Sequence, residues 1–453
     1  MSQQSEAGRE HVGKTADCHH IIVVGAGIGG LATAYYAKQA GFRVTVFEAG
    51  DRPGGRIMRL THGVDVVDSG AQGIHTNYKD VLSLVSEVGL QNELRISGGL
   101  IQHVFPDNIR WIVRGKFDLF LKLSLGSQIR MSFAFAALKL MRPFISFFSI
   151  DHARPWLDNR TVADFFGQAN RDLMNLIVRP LCFAMANATP DRISFLHFTN
   201  VFNLVNATQI YKIVSGIASL PERLAMQLDI RYNCPAESLV VSDGRVTGIQ
   251  LQNGKICMAD HIVIATSAGA ASEIVPPSLR ALKRSLSGFP HTPLILAFFF
   301  LNRPTGLDAA SFFNFEDDDI IFRMAIDHAK RVPDMVPSGN AVISAWTAYP
   351  ESQHLLSLSD SEIEGRALQD LEHIIPGVST WVDRAEIVRH EWGVSQYVPG
   401  LRARILDLKT EVFNIPGLSL IGADYNSVHL ESAIRSARHT VSQFCREMVA
   451  EKP

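Results

Sequence analysis

The stretch that most constrains the chain runs from His20 to Glu48, HIIVVGAGIGGLATAYYAKQAGFRVTVFE. Ile21 to Val24 are a continuous β-branched run, which predicts a strand buried on both faces of a parallel sheet. Gly25, Gly27 and Gly30 follow with the spacing G-x-G-x-x-G. The first glycine permits the tight turn, the second lets backbone approach a pyrophosphate, and the third lets the next helix lie close to the strand. Leu31 to Gln39 reads as that helix, whose N-terminus aims N–H groups at phosphate, and Gly41 stops it. Phe42 to Phe47 alternates as a second strand, and Glu48 at its end is placed to accept from ribose hydroxyls. A β-α-β dinucleotide unit is complete here, but it does not separate NAD from FAD, since both carry a free 2′-hydroxyl.

The rest of the chain has to supply the distinction. Ala49 to Arg56 (AGDRPGGR) is a glycine-rich turn ending in a cation that can pair with phosphate. Val64 to Val67 predicts a short strand running into a second small-residue turn that contains Gly70, Ala71 and Gln72. A helix is expected from Lys79 to Leu90, and residues 81 to 209 read as mostly helical, with a capped helix start in DNRTVADFF. A helix over Leu220 to Leu228 leads into a β-rich piece: Ile230–Asn233, Ser238–Val241, a turn at Asp243-Gly244, Val246–Gln252 and His261–Ala265. TPLILAFFFL, residues 292 to 301, predicts a buried strand with Ala341–Thr347 beside it. A helix is expected over 360 to 373 and a solvated turn at EDDD, residues 316 to 319. Leu418–Gly422 and Leu430–Met448 predict the last strand and helix. G-x-G-x-x-G does not recur, whereas flavoenzymes reduced through their own nicotinamide domain usually carry two such fingerprints.

Composition narrows the class. At 453 residues the chain is long enough for two or three lobes, and 47% apolar against 19% charged residues is an apolar balance for a globular protein. A formal charge of -2 without a long basic run speaks against nucleic acid. Residues 1–19 are polar and lack the apolar run of a secretory signal, so a disordered tail is expected. Five scattered cysteines without C-x-x-C suit a reducing cytoplasm and give no metal site. The 26 phenylalanines have to be core, pocket or membrane-facing surface. They concentrate in FDLFLKLSL and MSFAFAALKLMRPFISFF, between residues 117 and 148, where charges and Pro143 interrupt any spanning run. Buried helices are expected there, with an amphipathic face that dips into a bilayer as the alternative.

GAGIGG, FEA, RPGGR, DSGAQ, LIGADY and LESAIRSAR together resemble the superfamily of FAD-dependent flavin amine oxidases, protoporphyrinogen oxidases and phytoene desaturases, over about residues 20 to 445. The resemblance implies an α/β fold, α+β overall: a Rossmann-like FAD-binding domain from 20–80, 210–285 and 386–453, with an inserted mixed α/β substrate domain from 81–209 and 286–385. It implies that Gly25, Gly27 and Gly30 hold the pyrophosphate and Glu48 the ribose. Ala49, Arg56, Gly70, Ala71 and Gln72 would line the phosphate and flavin region. Ala236 would meet adenine, Asp424 would lie near the pyrophosphate and ribityl chain, and Ser432 and Ala433 would face the isoalloxazine at a helix N-terminus. His429 takes the place of an aromatic residue of amine oxidases and is the candidate for contact with substrate, as a proton acceptor.

The departures point within the family. The stretch from Gly288 to Leu301 has no counterpart of the lysine that amine oxidases commonly place beside the flavin, with Leu296 nearest to it. No cysteine stands near Trp392 or Gly393, so non-covalent FAD is implied. Ala423 and Ala437 replace glycines, and VSGIASLPERLA is similar to a segment of the porphyrinogen oxidases and desaturases, with Ser215 in place of a glycine. A dehydrogenase of a small hydrophobic substrate, reoxidised by oxygen or a quinone, is the expectation. The alternatives are an amine or amino-acid oxidase, with Arg323 or Arg389 available to a carboxylate, and a non-catalytic lipid escort of the same architecture.

Overall fold

The computed structural model describes residues 19–450 except 106–108, 115, 147–153, 168–170, 316, 318, 348 and 428. The polar leader, Phe147, Phe148 and half of the EDDD turn lie outside the described residues.

The β-branched run after His20 becomes the central strand of a five-stranded parallel sheet. The order is Ile230–Arg231, Arg43–Phe47, His20–Val24, His261–Ile264 and Leu418–Leu420. Alternation sends Ile21 and Val23 to one face and Ile22 and Val24 to the other. The first face is covered by helix Ile28–Gln39 and the last helix, Leu430–Ala450. The second carries the antiparallel sheet Ala236–Ser242, Arg245–Leu251 and Ile256–Met258, with helices Ala268–Ile274, Arg280–Ser287 and Leu401–Phe413. The two helices on the first face cross closely because their contact residues are small: a Cβ on Gly29 would sit 3.7 Å from that of Ala433.

The second sheet has seven strands, ordered Val382–Ser395, His291–Leu301, Val342–Trp346, Met324–Asp327, Ala309–Phe313, Leu100–Val104 and Arg110–Val113. It is antiparallel except where Ala309–Phe313 runs parallel to Leu100–Val104. The strand from His291 is buried nearly end to end. Ile295, Ala297 and Phe299 feed one core and Leu296, Phe298 and Phe300 the other, which is why ten consecutive residues carry no charge.

Two expectations need correction. Residues 81 to 209 are not mostly helical at their start: Leu94–Ile96, Leu100–Val104 and Arg110–Val113 are strands. Leu94–Ile96 and Leu100–Val104 pair with Ile210–Ile213 and Ala309–Phe313, far along the chain, and Arg110–Val113 adds to that sheet as the edge strand of a hairpin with Leu100–Val104, so long-range pairing decides what local pattern does not. The segment after Lys116 is helical, as Lys116–Lys122 and Leu125–Met141, but it is not core. Ser127, Ala134 and Leu138 face inward, while Phe117, Leu121, Leu125, Ile129, Phe133 and Leu140 are exposed, Phe133 to 73%. Among the described residues no helix is long and apolar enough to cross a membrane.

Candidate active site

Two glycine turns lie side by side at the C-terminal edge of the parallel sheet. Gly54 N–H donates to the Ala26 carbonyl at 2.8 Å, and Gly27 and Gly54 form a bridge. Gly25 has φ +103° and Gly54 φ +105°. A Cβ on Gly30 would fall 2.0 Å from the Gly25 carbonyl oxygen, so the third glycine is fixed by helix-on-strand packing. Helix Ile28–Gln39 begins at Gly27 without a side-chain cap, and its first bond runs from Leu31 N–H to the Gly27 carbonyl. The preceding N–H groups therefore face outward, with the positive end of the helix dipole behind them. Glu48 secures the turn from beneath, accepting from Ala26 N–H at 2.7 Å and Gly50 N–H at 2.8 Å. A backbone-lined turn with a cation beside it, where Gly27 carries no side chain and a Cβ would meet nothing nearer than the Ala265 carbonyl at 3.9 Å, leaves room for a pyrophosphate.

Arg56 leaves this cradle for a junction between the two sheets. Its guanidinium reaches the Gly393 carbonyl at 3.2 Å and Asp424 Oδ1 at 3.5 Å and stays partly exposed. Asp424 is buried and receives Ser395 Oγ at 2.6 Å, Ala268 N–H at 2.9 Å and His291 Nε2 at 2.7 Å. Burial alone would raise its pKa, but the His291 hydrogen bond and the Arg56 charge hold it well below the usual carboxylate range. With Arg56, four donors occupy the four lone-pair sites of this carboxylate.

A third cluster closes the site where the last helix begins. His429 is buried, and its Nδ1 lies 2.9 Å from the Tyr78 hydroxyl. Burial pulls its pKa down to about 3, and those of His75 and His197 to about 4, so all three rings are neutral at physiological pH. His197, on helix Phe195–Ala207, stacks on Tyr397 with ring centroids 4.6 Å apart. Ser432 and Ala433 both donate N–H to the His429 carbonyl, at 3.0 and 3.3 Å.

Several sequence candidates thus come together: Gly25, Gly27, Gly30 and Glu48 in one cradle, with Arg56 and Asp424 beside it. Gly70 packs against the Arg56 carbonyl, where a Cβ would lie at 1.7 Å. Gln72 turns inward, its Nε2 donating to the Asp68 carbonyl at 2.8 Å and its Oε1 accepting from Lys212 Nζ at 3.2 Å. Ala71 and Ala49 follow in the same two turns. Ala236 begins its strand one turn from Glu48, whose carbonyl accepts from Cys234 N–H at 2.9 Å. Arg323 and Arg389 stand apart, on the Asp317 carbonyl and on Asp360 respectively.

Sequence reasoning missed His197, His291, Tyr78, Tyr397 and the pair Lys212 and Asp68. That pair is fully buried, with Nζ 2.8 Å from Oδ2. Lys212 alone gave a signal, as a single cation in the apolar strand IYKI.

This fold and site define an α/β flavoprotein with a dinucleotide cradle at the edge of its parallel sheet. The chain belongs to the family described as flavin containing amine oxidoreductase, whose profile matches residues 28–443. It is an FAD-dependent oxidoreductase. Coproporphyrinogen III oxidase of Bacillus subtilis (strain 168) is 20% identical over 480 residues, spanning 93% of this chain and 97% of that protein. Hydroxyneurosporene desaturase of Cereibacter sphaeroides is 27% identical over 322 residues, 59% of this chain and 62% of that one. Cyclohexylamine oxidase from Brevibacterium oxydans IH-35A shares the fold, with a TM-score of 0.74 at 18% identity over 95% of this chain and 99% of that chain. Family membership sets aside the non-catalytic escort.

Proposed function

We propose that the protein dehydrogenates a hydrophobic substrate, in the manner of porphyrinogen oxidases and desaturases rather than amine oxidases. The carrying observation is the strand His291–Leu301: it is buried, contains no lysine, and at Leu296 is flanked by Trp346 and Val388. The similarity to coproporphyrinogen III oxidase over almost the full chain supports the same reading. An amino-acid carboxylate would need a cation, and Arg389 is committed to Asp360 and the Leu358 carbonyl.

FAD, when bound, supplies a two-electron acceptor that takes a hydride from carbon, while a proton leaves the neighbouring atom and oxygen or a quinone later removes the electrons. The chain holds this cofactor without a covalent link. Gly25, Gly27 and the start of helix Ile28–Gln39 receive the pyrophosphate, with Arg56 as counter-charge; Glu48 receives the ribose and the Ala236 backbone the adenine. Ala49, Gly70, Ala71 and Gln72 shape the turns around it, and Ser432 and Ala433 bring a helix N-terminus to the flavin end. We assign the FAD-binding part to 20–80, 210–285 and 386–453. His429 orients substrate by hydrogen bonding and is a weak proton store, because burial opposes its charged form.

The proposal includes a cytoplasmic location with peripheral contact to an anionic membrane. Helices Lys116–Lys122 and Leu125–Met141 expose a stripe of Phe, Leu and Ile. Residues 109–146 contain seven Lys or Arg against one Asp, in a chain whose formal charge is -2. Such a face, apolar with a cationic rim, suits headgroups above acyl chains. The four described cysteines are unpaired, which supports a reducing compartment.

Anaerobic bleaching of the flavin absorbance against tetrapyrrole, polyene, terpenoid and amine substrates tests the reaction. Bleaching by a porphyrinogen or an isoprenoid is expected; bleaching by amines alone would overturn the proposal.

A further inference from the structure

We infer that Arg331 is the anchor for a carboxylate of the substrate, so that the substrate is a largely apolar acid. This rests on the dehydrogenase reading and deepens it by naming the charged group that the substrate presents.

Strand Met324–Asp327 of the seven-stranded sheet runs directly into a single helical turn, His328–Arg331, which Arg331 closes. The Arg331 carbonyl accepts from Gly98 N–H at 3.0 Å, which fixes the backbone there. Val332 and Met335, just beyond it, belong to the same buried core as Leu296, Phe298 and Phe300 of the strand from His291. His328 Nε2 lies 2.8 Å from Ser344 Oγ, and its ring centroid 6.0 Å from that of Phe298. Arg331 acts electrostatically on both His328 and Lys212. Lys212 Nζ in turn donates to Gln72 Oε1 at 3.2 Å. Arg331 thus stands between the turn that the proposed function places at the flavin and the buried strand that carries Leu296.

Its guanidinium is in an unusual state. Among the described residues no hydrogen bond or ion pair holds it, and burial alone pulls its pKa down. The residue is nevertheless half-buried rather than sealed, unlike His328 and Lys212 beside it. Surface left open on a side chain that protein crowds from all around is the wall of an internal cleft. An arginine keeps its charge in a protein, and a desolvated charge without a partner is costly, so this one is built to receive an anion.

Charge balance selects the ligand. Lys212 is matched by Asp68, which also accepts from Ile217 N–H at 2.7 Å. Asp327 is taken by Thr305 Oγ1 and Lys330 N–H, and Asp334 by Arg95. Lys330 is exposed to water. One positive charge inside the protein is left over, and its complement is a single negative charge on two coplanar oxygens, which a guanidinium meets with paired N–H donors. A phosphate dianion would exceed that charge. An amino acid would bring an ammonium for which none of these carboxylates is free, and a pure hydrocarbon would leave Arg331 unpaired. A carboxylate on an apolar body satisfies it.

The test uses the flavin-containing protein as purified, under anaerobic conditions, with perturbation of flavin absorbance as the binding signal. The probes are pairs of acid and ester: coproporphyrinogen III with its tetramethyl ester, and linoleic acid with methyl linoleate. Wild type is expected to bind the acid of at least one pair about tenfold or more tighter than its ester. Arg331→Met should erase that preference and leave ester binding unchanged, and Arg331→Lys should keep part of it. Because the cation has no partner before the substrate arrives, Arg331→Met should keep its flavin and melt at or above the wild-type temperature. Equal binding of acid and ester in both pairs, or no binding of either acid, overturns the inference. So does an Arg331→Met variant that still prefers the acid, or one that melts several degrees lower, which would make Arg331 a structural group. Bleaching by amines alone counts against the dehydrogenase reading instead, and the comparison of acid with ester still decides on Arg331.

Discussion

His291 Nε2 lies 2.7 Å from Asp424 Oδ2, and this contact ties the longest buried strand of the seven-stranded sheet to the loop after the last strand of the parallel sheet. Asp424 also caps the short helix at Ala268 and receives Ser395 from the neighbouring long strand. One carboxylate thus joins both sheets beside the cofactor cradle. Asp424→Ala leaves the buried donors of His291, Ser395 and Ala268 without their acceptor, and each buried polar group left unsatisfied costs ~1–3 kcal/mol. Its folded pKa is held below the ordinary 3.8, so the stability it gives is present above that pH and is lost as pH falls below it. Urea unfolding at pH 7 and at pH 3 should show the Asp424→Asn variant losing less stability on acidification than wild type, together with lower flavin content at both pH values.

Gly29 and Gly30 are neighbours with opposite tolerances. A Cβ on Gly30 would meet the Gly25 carbonyl at 2.0 Å, whereas one on Gly29 would find only ordinary contacts, from 3.6 Å upward. Gly30→Ala is expected to displace the glycine turn, cost ~1–3 kcal/mol or more and abolish FAD retention. Gly29→Ala should keep the flavin and stay within ~1 kcal/mol of wild type, since alanine favours a helix. The ratio of flavin absorbance to protein absorbance after gel filtration separates the two; equal flavin loss in both would refute this account.

The cradle was legible because its causes are local. Gly25 needs its φ, Gly30 its closeness, and Ile21 to Val24 their two buried faces, and each leaves a mark in the letters. Asp424 was legible only through resemblance, and its actual partners were not, because His291 and Ser395 come from strands whose pairing spans 104 residues between them. Leu401–Phe413 went unread although Leu401, Ile405, Leu408 and Val412 follow helical spacing, its polar residues having masked the stripe. The two helices with Phe117 and Phe133 misled for a different reason. Exposure is set by what packs outside a helix, and no local pattern records an empty outside.

Five histidines, His75, His103, His197, His261 and His429, have their pKa values pulled by burial from 6.5 to about 4, and for His429 to about 3. The unfolded chain takes up their protons near pH 6.5 while the folded chain does not. The sign follows: these groups give stability above pH 6.5 and lose it progressively down to about pH 4. Each unit of depression is worth ~1.4 kcal/mol, so the melting temperature should fall steeply across this window. His197→Phe should flatten the slope, and potentiometric titration of the folded protein between pH 5 and 8 should find fewer protons taken up than sixteen ordinary histidines would bind.

The exposed stripe from Phe117 to Leu140 makes the membrane reading measurable. Lys122 Nζ lies 5.0 Å over the Trp111 ring and Lys139 Nζ 4.7 Å over that of Phe135, so both cations sit beside aromatic rings along the apolar face. Co-flotation with vesicles rich in phosphatidylglycerol is expected, weaker with neutral phosphatidylcholine and weakened by salt. Replacing Lys122, Lys139 and Arg142 by Gln should reduce partitioning about fivefold per cation, since each is worth ~1 kcal/mol near such a surface. Changing Phe117, Phe133 and Leu140 to Ser should abolish it without loss of flavin, because these side chains touch solvent rather than core. A wild-type protein that floats with neither vesicle would overturn the membrane reading, and a dimer that the serine variant dissociates would show that another copy of the chain covers this face.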